Sequence, residues 1–354
     1  MLSRVIVREI ERVGDLASLR PQWERLMASC PQATPFQAPG WVLPFLHTFG
    51  DRGLWALAVF RGTELAALLP LRLERRRERC VATYVGGGIS DYHAVLAEAG
   101  FAGERARRAL VAHLVGLAQV GALLRCELDQ LAPDDPLLAL AGQSGLGAVS
   151  APHQVGPYVP LPDTPEALDR QLPASLGRRL DRCLRGLERL GPTRFQTADT
   201  GCAEQLMESL FRLPAARWLD RRLPGVMAGE TLRAFHRAVS REMAAEGRLR
   251  LHALTVRGEP RALMYALAHR RRVHCYLGGI DPALARFSPG LVLLRQVMRA
   301  AIEERATEID LLPGEEANQL RLGARPRWTH RLVIGSADAP ERATAAAALG
   351  AAAL

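Results

Sequence analysis

Residues 276–294 read YLGGIDPALARFSPGLVLL. An apolar strand carrying an aromatic residue runs into Gly278-Gly279, a short loop follows, and Ser288-Pro289-Gly290 opens an apolar run with helical spacing. Ser288 has the residue type of an N-cap, and Pro289 suits a first helical position. Gly290 carries no side chain to cover its amide. Leu291, Leu294, Met298 and Ile302 then recur at intervals that place one helical face against a sheet. A helix that starts with uncovered N–H groups attracts anions through its dipole and its orphan donors together. A Ser-Pro pair also caps many helices that bind nothing, so the element gains meaning only from its surroundings.

Those surroundings repeat. LAVFRGTELAALLPLRLERRRERCVATYVGGG (57–88) and LTVRGEPRALMYALAHRRRVHCYLGGI (254–280) share one order: strand, Arg-Gly turn, strand, arginine cluster, strand with tyrosine, Gly-Gly. Each is followed by a helical stretch, about 101–120 and 289–305, and then by another strand, ALLRCELDQL or TEIDLLPG. Helical patterns precede each copy. Two copies of one α/β unit are expected, each a mixed, mostly antiparallel sheet flanked by helices. The turn-rich and nearly uncharged stretch 142–163 reads as the junction, giving domains 1–160 and 161–340 and an Ala-rich tail 341–354. After its glycines the first copy reads GISDYHAVLAEAG, without Ser-Pro-Gly. A site built on that element is therefore expected once, in the second half.

Composition bounds the rest. At 354 residues the chain exceeds the ~250–300 that one core supports. Its 48% hydrophobic and 23% charged residues are those of a soluble globular protein. No charge-free apolar run reaches the ~20 residues of a membrane span, and the N-terminus lacks an uncharged apolar leader, so a cytoplasmic protein without a transmembrane segment is expected. Six cysteines stand singly, and neither they nor the nine histidines show ligand spacing, so no metal and no disulfide framework is expected. All 46 basic residues are arginine, which excludes lysine Schiff-base and P-loop chemistry. The net charge of +9 permits an anionic partner without selecting DNA, and no DNA partner is expected.

The ordered set PLRL (70–73), SDYH (90–93), the arginine-studded helix at 178–189, AARW (215–218), YLGGIDP (276–282), SPG (288–290) and IDLLPGEE (309–316) resembles the GNAT superfamily of acyl-CoA acyltransferases. More closely it resembles the CelD/BcsL-like branch, with two tandem GNAT-like domains, related in architecture to Fem-type peptidyltransferases. The resemblance implies an α/β (α+β) fold in which the strand before the Ser-Pro-Gly helix splays from its neighbour and an acyl thioester lies in the gap. It implies acyl-CoA, acetyl or longer, as co-substrate, with the pyrophosphate at Ser288, Pro289 and Gly290 and the thioester along the strand ending at Gly278-Gly279. It implies an acceptor of small or sugar type, in cell-surface polysaccharide biosynthesis. Where such relatives read Tyr-Lys after a G-x-E element this chain has Asn318-Gln319, and where they carry a histidine it has Pro214.

Attack of an amine or hydroxyl on a thioester wants a base, an oxyanion donor and an acid for the thiolate. By period-two alternation His274, Tyr276 and Gly278 share one face of RVHCYLG, with Val273, Cys275 and Leu277 on the other. His274 suits a base and Tyr276 the thiolate's acid, with Asp281, Glu315 and Glu316 as rivals and the Gly278 and Gly279 amides for the oxyanion. Arg178, Arg182, Arg185 and Arg189 form a helical stripe, which reads either as a solvated face or as a contact to a phosphate of acceptor or CoA. Asp91, Tyr92 and His93 are candidate acceptor contacts, as are Arg217, Trp218 and Glu316. Two other classes stay open: an aminoacyl-tRNA-dependent Fem-type transferase, and a non-catalytic binding subunit, to which Asn318-Gln319 points.

Overall fold

The structure is a computed structural model describing residues 4–76, 79–141, 147–198, 201–213, 229–313 and 322–335. Chain contacts divide it into two units, one running to Gln154 and resuming at Trp328, the other Val155–Arg327. The expected division at residue 160 and the assignment of 161–340 to one domain therefore differ from the contact pattern. Residues 142–163, read as a junction, contain a long strand, because Val149, Val155, Tyr158 and Val159 suit a pleated backbone.

The first unit contains β1 (Val5–Ile10), α1 (Val13–Ser18), α2 (Arg20–Ser29), α3 (Pro39–Phe49), β2 (Ala56–Arg61), β3 (Glu64–Leu69), β4 (Leu71–Arg76) and β5 (Arg79–Tyr84). It continues with β6 (Leu96–Ala97), α4 (Gly100–Gln119), β7 (Arg125–Leu131), α5 (Pro136–Ala141) and the start of β8 (Ala148–Pro160). Strand orders are β1-β2-β3-β6 and, closing with β14 (Arg325–Gly335) near the C-terminus, β4-β5-β7-β14. One sheet per copy was expected. Pro70 lacks an N–H and interrupts what the second unit keeps as one long strand, so β3 joins β2 while β4 pairs with β5. The core joins Leu57, Val59, Leu69 and Tyr84 to Leu110 and Leu114 of α4.

The second unit carries α6 (Pro165–Gln171), α7 (Ala174–Glu188), β9 (Thr193–Thr197), α8 (Ala203–Arg212), α9 (Glu230–Ala245), β10 (Leu249–Val256) and β11 (Glu259–His269). Next come β12 (Arg272–Ile280), α10 (Pro289–Glu303), β13 (Glu308–Asp310) and the start of β14 (Arg325–Gly335). Its strand order is β8-β13-β12-β11-β10-β9, antiparallel in every pair but β12–β13. Both sheet-bearing units are thus mixed α/β, flanked by helices.

One face of the second sheet packs on α6, α7 and α10 through Leu176, Leu180, Val292, Leu293, Val297 and Met298, which meet Met264, Ala266, Val273 and Cys275. Each such side chain contributes roughly 1.5–3 kcal/mol when fully buried. The other face meets α8 and α9, where His236 touches Tyr265 and Tyr276. No described helix is long and apolar enough to cross a membrane.

Candidate functional site

The parallel pair β12–β13 is short. Arg272, Val273 and His274 register with Glu308, Ile309 and Asp310, and there the pairing stops. β12 runs on to Ile280, still bonded to β11 on its other side. The chain after β13 turns away: Leu311 N–H donates to Pro157 O at 2.9 Å and Leu312 N–H to Asp310 Oδ1 at 2.7 Å. Beyond His274 the pairing of the two strands ends, and alternate backbone groups on that side of β12 have no strand partner among the described residues.

His274 and Asp310 stand where the strands part, each side chain 2% exposed, with Nδ1 and Oδ2 3.6 Å apart. Arg327 holds Glu308 through two bonds of 2.9 and 2.6 Å, lies 3.6 Å from Asp310, and its guanidinium covers the Tyr158 ring at 4.0 Å. The base candidate therefore has a carboxylate beside it, and that carboxylate has a cation beyond it. Sequence reasoning missed Asp310, because the juxtaposition depends on a parallel register between segments separated by α10.

The predicted alternation fails at Tyr276. A β-bulge shifts the β11–β12 register between Tyr265 and Ala266, so Ala266 faces Cys275 while Tyr265 faces Leu277. Val273 and Cys275 do share the α10-side core. The extra residue turns Leu277 to the same face as Tyr265 and puts Gly278 opposite Met264, on the α10 side, so His274 and Gly278 do not share a face. Tyr276 packs 5.7 Å from Tyr265 and 5.4 Å from His236, ring centre to ring centre. Burial pushes the His236 imidazole down to about 3 and holds it neutral. Burial, with Tyr276 second, raises the Tyr265 phenol.

Ser288 occupies the N-cap position of α10 but does not cap it. Its backbone is left-handed (φ 45°, ψ 51°) and its hydroxyl makes no bond to the helix. Instead Ser288 Oγ accepts a bond from Arg179 Nη2 of α7 at 3.1 Å. The backbone carbonyl of Ser288 accepts from the N–H groups of Leu291 and Val292. Pro289 has no N–H, so Gly290 keeps the one first-turn amide without a partner among the described residues. A non-glycine residue held at positive φ costs of order 1 kcal/mol and is retained where the surroundings demand it.

α7 is held beside this turn by Gly186, where an added Cβ would stand 2.6 Å from the Phe287 ring. Arg179, Arg182 and Gly186 follow one another at helical spacing, so Arg182 lies between two residues that touch Phe287 or Ser288. Arg178, Arg182, Arg185 and Arg189 are exposed and make no ion pair among the described residues, while Asp181 is taken by Arg295 at 2.6 Å. Arg179 was missed because it lies off the stripe formed by the other four.

Other predicted residues have definite places. Asp281 caps the short 3-10 turn Pro282–Phe287 by accepting from Ala283 N–H at 2.9 Å and pairs with Arg261 at 2.8 Å, so both its oxygens are engaged. Gly279 and Gly278 register with Leu263 and Met264. Arg217, Trp218, Glu315, Glu316, Pro214 and Asn318-Gln319 lie outside the described residues.

Asp91, Tyr92 and His93 are each 5% exposed, inside the first unit. There β5 and β7 also pair in parallel over only three positions, Val81–Thr83 with Arg125–Glu127, while β7 continues to Leu131. Tyr92 and His93 bond along that continuation. His93 N–H donates to Asp129 O, Asp129 N–H donates to His93 Nδ1, both at 3.3 Å, and Tyr92 N–H donates to Gln130 Oε1 at 3.4 Å. Ser90 Oγ accepts from the Trp41 indole at 2.7 Å, and His93 stacks on Tyr84 at 4.8 Å. Burial lowers the His93 pKa and Asp129 opposes the shift. No cluster of three or more potential metal ligands occurs among the described residues.

Residues 174–319, which contain α7, the parted strands and α10, match the acetyltransferase (GNAT) domain family. Among solved structures, FemX superposes with a TM-score of 0.62 at 11% identity, covering 92% of this chain and 96% of that one. The C-terminal DUF2156 domain of a putative lysylphosphatidylglycerol synthetase from Agrobacterium fabrum gives 0.56 at 13% identity, covering 95% and 96%. A conserved protein of unknown function from Bacteroides thetaiotaomicron gives 0.57 at 8% identity, covering 94% and 100%. These are likenesses of fold. No curated protein matches the sequence.

Proposed function

We propose that the second unit is an acyl-CoA-dependent N- or O-acyltransferase of the CelD/BcsL-like branch, acting on a small or sugar-type acceptor in cell-surface polysaccharide biosynthesis. The observation that carries this reading is the parting of β12 from β13 directly after His274 and Asp310, with α10 starting at an uncapped turn shortly beyond. A thioester arm lies along the free edge of β12. The diphosphate meets the Gly290 amide and the Arg179 guanidinium, with Arg182 alongside.

In this reading His274 accepts the proton of the acceptor's amine or hydroxyl as that atom attacks the thioester carbonyl. Asp310 sets the imidazole's orientation, backbone N–H groups of β12 receive the developing oxyanion, and the C–S bond breaks as the new C–N or C–O bond is kept. Tyr276 supplies a proton to the departing thiolate. Positioning along the strand carries much of the rate. Asp281, with both oxygens occupied, serves the loop rather than the chemistry.

Titration calorimetry of the full chain with acetyl-CoA tests the proposal: saturable binding is expected, and silence toward acetyl-CoA and longer acyl-CoAs alike refutes it. The exposed arginine stripe of α7 favours one second reading, an aminoacyl-tRNA-dependent transferase of Fem type. Co-purifying RNA, released steeply by salt, would select it.

A further inference from the structure

Past His274, β12 extends beyond the last residue it pairs with on β13, and the side chains packed around that point decide what fits beside it. At that point the strands are joined through the His274–Asp310 pair, and both side chains are buried. On the α10 side at this level, Cys275, Met264 and Val297 belong to one packed core. On the α9 side the bulge sets Tyr276 and Leu277 together opposite Tyr265. Tyr276, Tyr265 and His236 then form a closed triangle, with ring centres 5.7, 5.8 and 5.4 Å apart; Tyr265 and His236 are 0% exposed. The Tyr265 hydroxyl has no hydrogen-bond partner among the described residues although it is fully buried. A phenylalanine would fill the same space without that penalty, so packing alone does not explain the hydroxyl.

We propose that Tyr265, acting through Tyr276 with His236 as backing, sets the length of acyl chain the site accepts. The inference rests on the acyl-thioester reading above. A carbonyl placed beside the bulge points its alkyl chain toward the His274–Asp310 pair, and the chain meets the Tyr276 ring. That ring cannot yield, because Tyr265 and His236 occupy the space behind it. Short acyl groups fit, and a medium-length chain has nowhere to go until the Tyr265 ring is removed. Nothing in the sequence pattern shows this, because the bulge brings together side chains that strict alternation would separate.

The experiment is calorimetric titration of the full chain with CoA, acetyl-CoA, butyryl-CoA and octanoyl-CoA, repeated for Tyr265→Leu and Tyr265→Ala. Wild type is expected to bind octanoyl-CoA at least about tenfold more weakly than acetyl-CoA, and either variant to narrow that ratio by about tenfold, each tenfold being ~1.4 kcal/mol. Octanoyl-CoA binding as tightly as acetyl-CoA to wild type overturns the proposal even if neither variant folds. A folded variant whose ratio does not move also overturns it. Failure of the underlying reading looks different: no thioester binds at all, whatever its chain.

Discussion

Replacing Arg179 with glutamine isolates the electrostatic part of the proposed diphosphate site. The guanidinium stands 3.1 Å from Ser288 Oγ on an exposed helix face, with its charge directed at the start of α10. A unit anion about 4 Å away interacts by ~1 kcal/mol in bulk water and by ~4 kcal/mol at an effective dielectric near 20. Exposure places Arg179 toward the lower value, so a loss of ~1–2 kcal/mol is expected, about 5- to 30-fold in Kd for acetyl-CoA. Calorimetry at low and high salt measures it. The wild-type affinity should fall with ionic strength and that of Arg179→Gln should fall less, because one cation no longer contributes. Acetyl-pantetheine, which lacks the diphosphate, should bind both proteins alike. Stability is expected to change by less than ~0.5 kcal/mol, as for surface substitutions generally. Arg179→Gln binding acetyl-CoA within about twofold of wild type, where ~1.4 kcal/mol is tenfold, would refute the placement of the diphosphate.

Other expectations concern the buried polar groups. Tyr265→Phe removes a buried hydroxyl that has no partner among the described residues and should stabilise the fold by ~1 kcal/mol, raising Tm by about 2–4 °C in a thermal melt. Burial pushes the Asp135 carboxyl up to about 6, opposed by the Leu137 N–H and by Arg107. The native state therefore holds that proton more tightly than the unfolded chain. Its stabilising contribution is full below pH ~4 and is lost as pH rises toward 6, by up to ~3 kcal/mol, and denaturant titrations of Asp135→Asn should lack that slope. His252 has the opposite sign. Burial, aided by Arg250, lowers it to about 4, so its contribution is present above pH ~6.5 and lost as pH falls toward 4. His252→Gln should flatten that acid limb in urea melts.

Much of the fold was legible because local chemistry and long-range pairing agree. The Arg-Gly turns at 61–62 and 257–258 join β2 to β3 and β10 to β11, and the tyrosine-bearing strands β5 and β12 precede α4 and α10 as the repeat requires. What was not legible depends on partners distant in sequence. Proline at position 70 was visible, but that it would divide one strand between two sheets was not. Ser288 has the residue type of a cap, yet a left-handed backbone turns its hydroxyl to Arg179. Period two placed Val273 and Cys275 on one face, and a single extra residue at Tyr276 reversed everything after it. The His274–Asp310 pair appears only once the parallel register is known.

Both units contain a parallel strand pair that separates after three positions, and they differ in what meets the free edge. In the first unit the continuation of β7 is met by the chain itself: Ser90–His93 places a backbone donor on Asp129 O and a ring acceptor on Asp129 N–H, and buries behind Trp41 and Tyr84. Tyr92 holds a left-handed φ of 56° to make that contact, a strain that bonding and burial must offset. A ligand entering there would have to displace a segment whose four residues are all at most 5% exposed. α4 also starts without a side-chain cap, so the buried SDYH segment, not the helix start, sets the first unit apart. The second unit has the free edge and the uncapped turn together. Acetyl-CoA should therefore bind at one site per chain, with the His93→Ala variant keeping that stoichiometry. A calorimetric ratio of two would mean that the SDYH segment yields to ligand and that the first unit is a working copy after all.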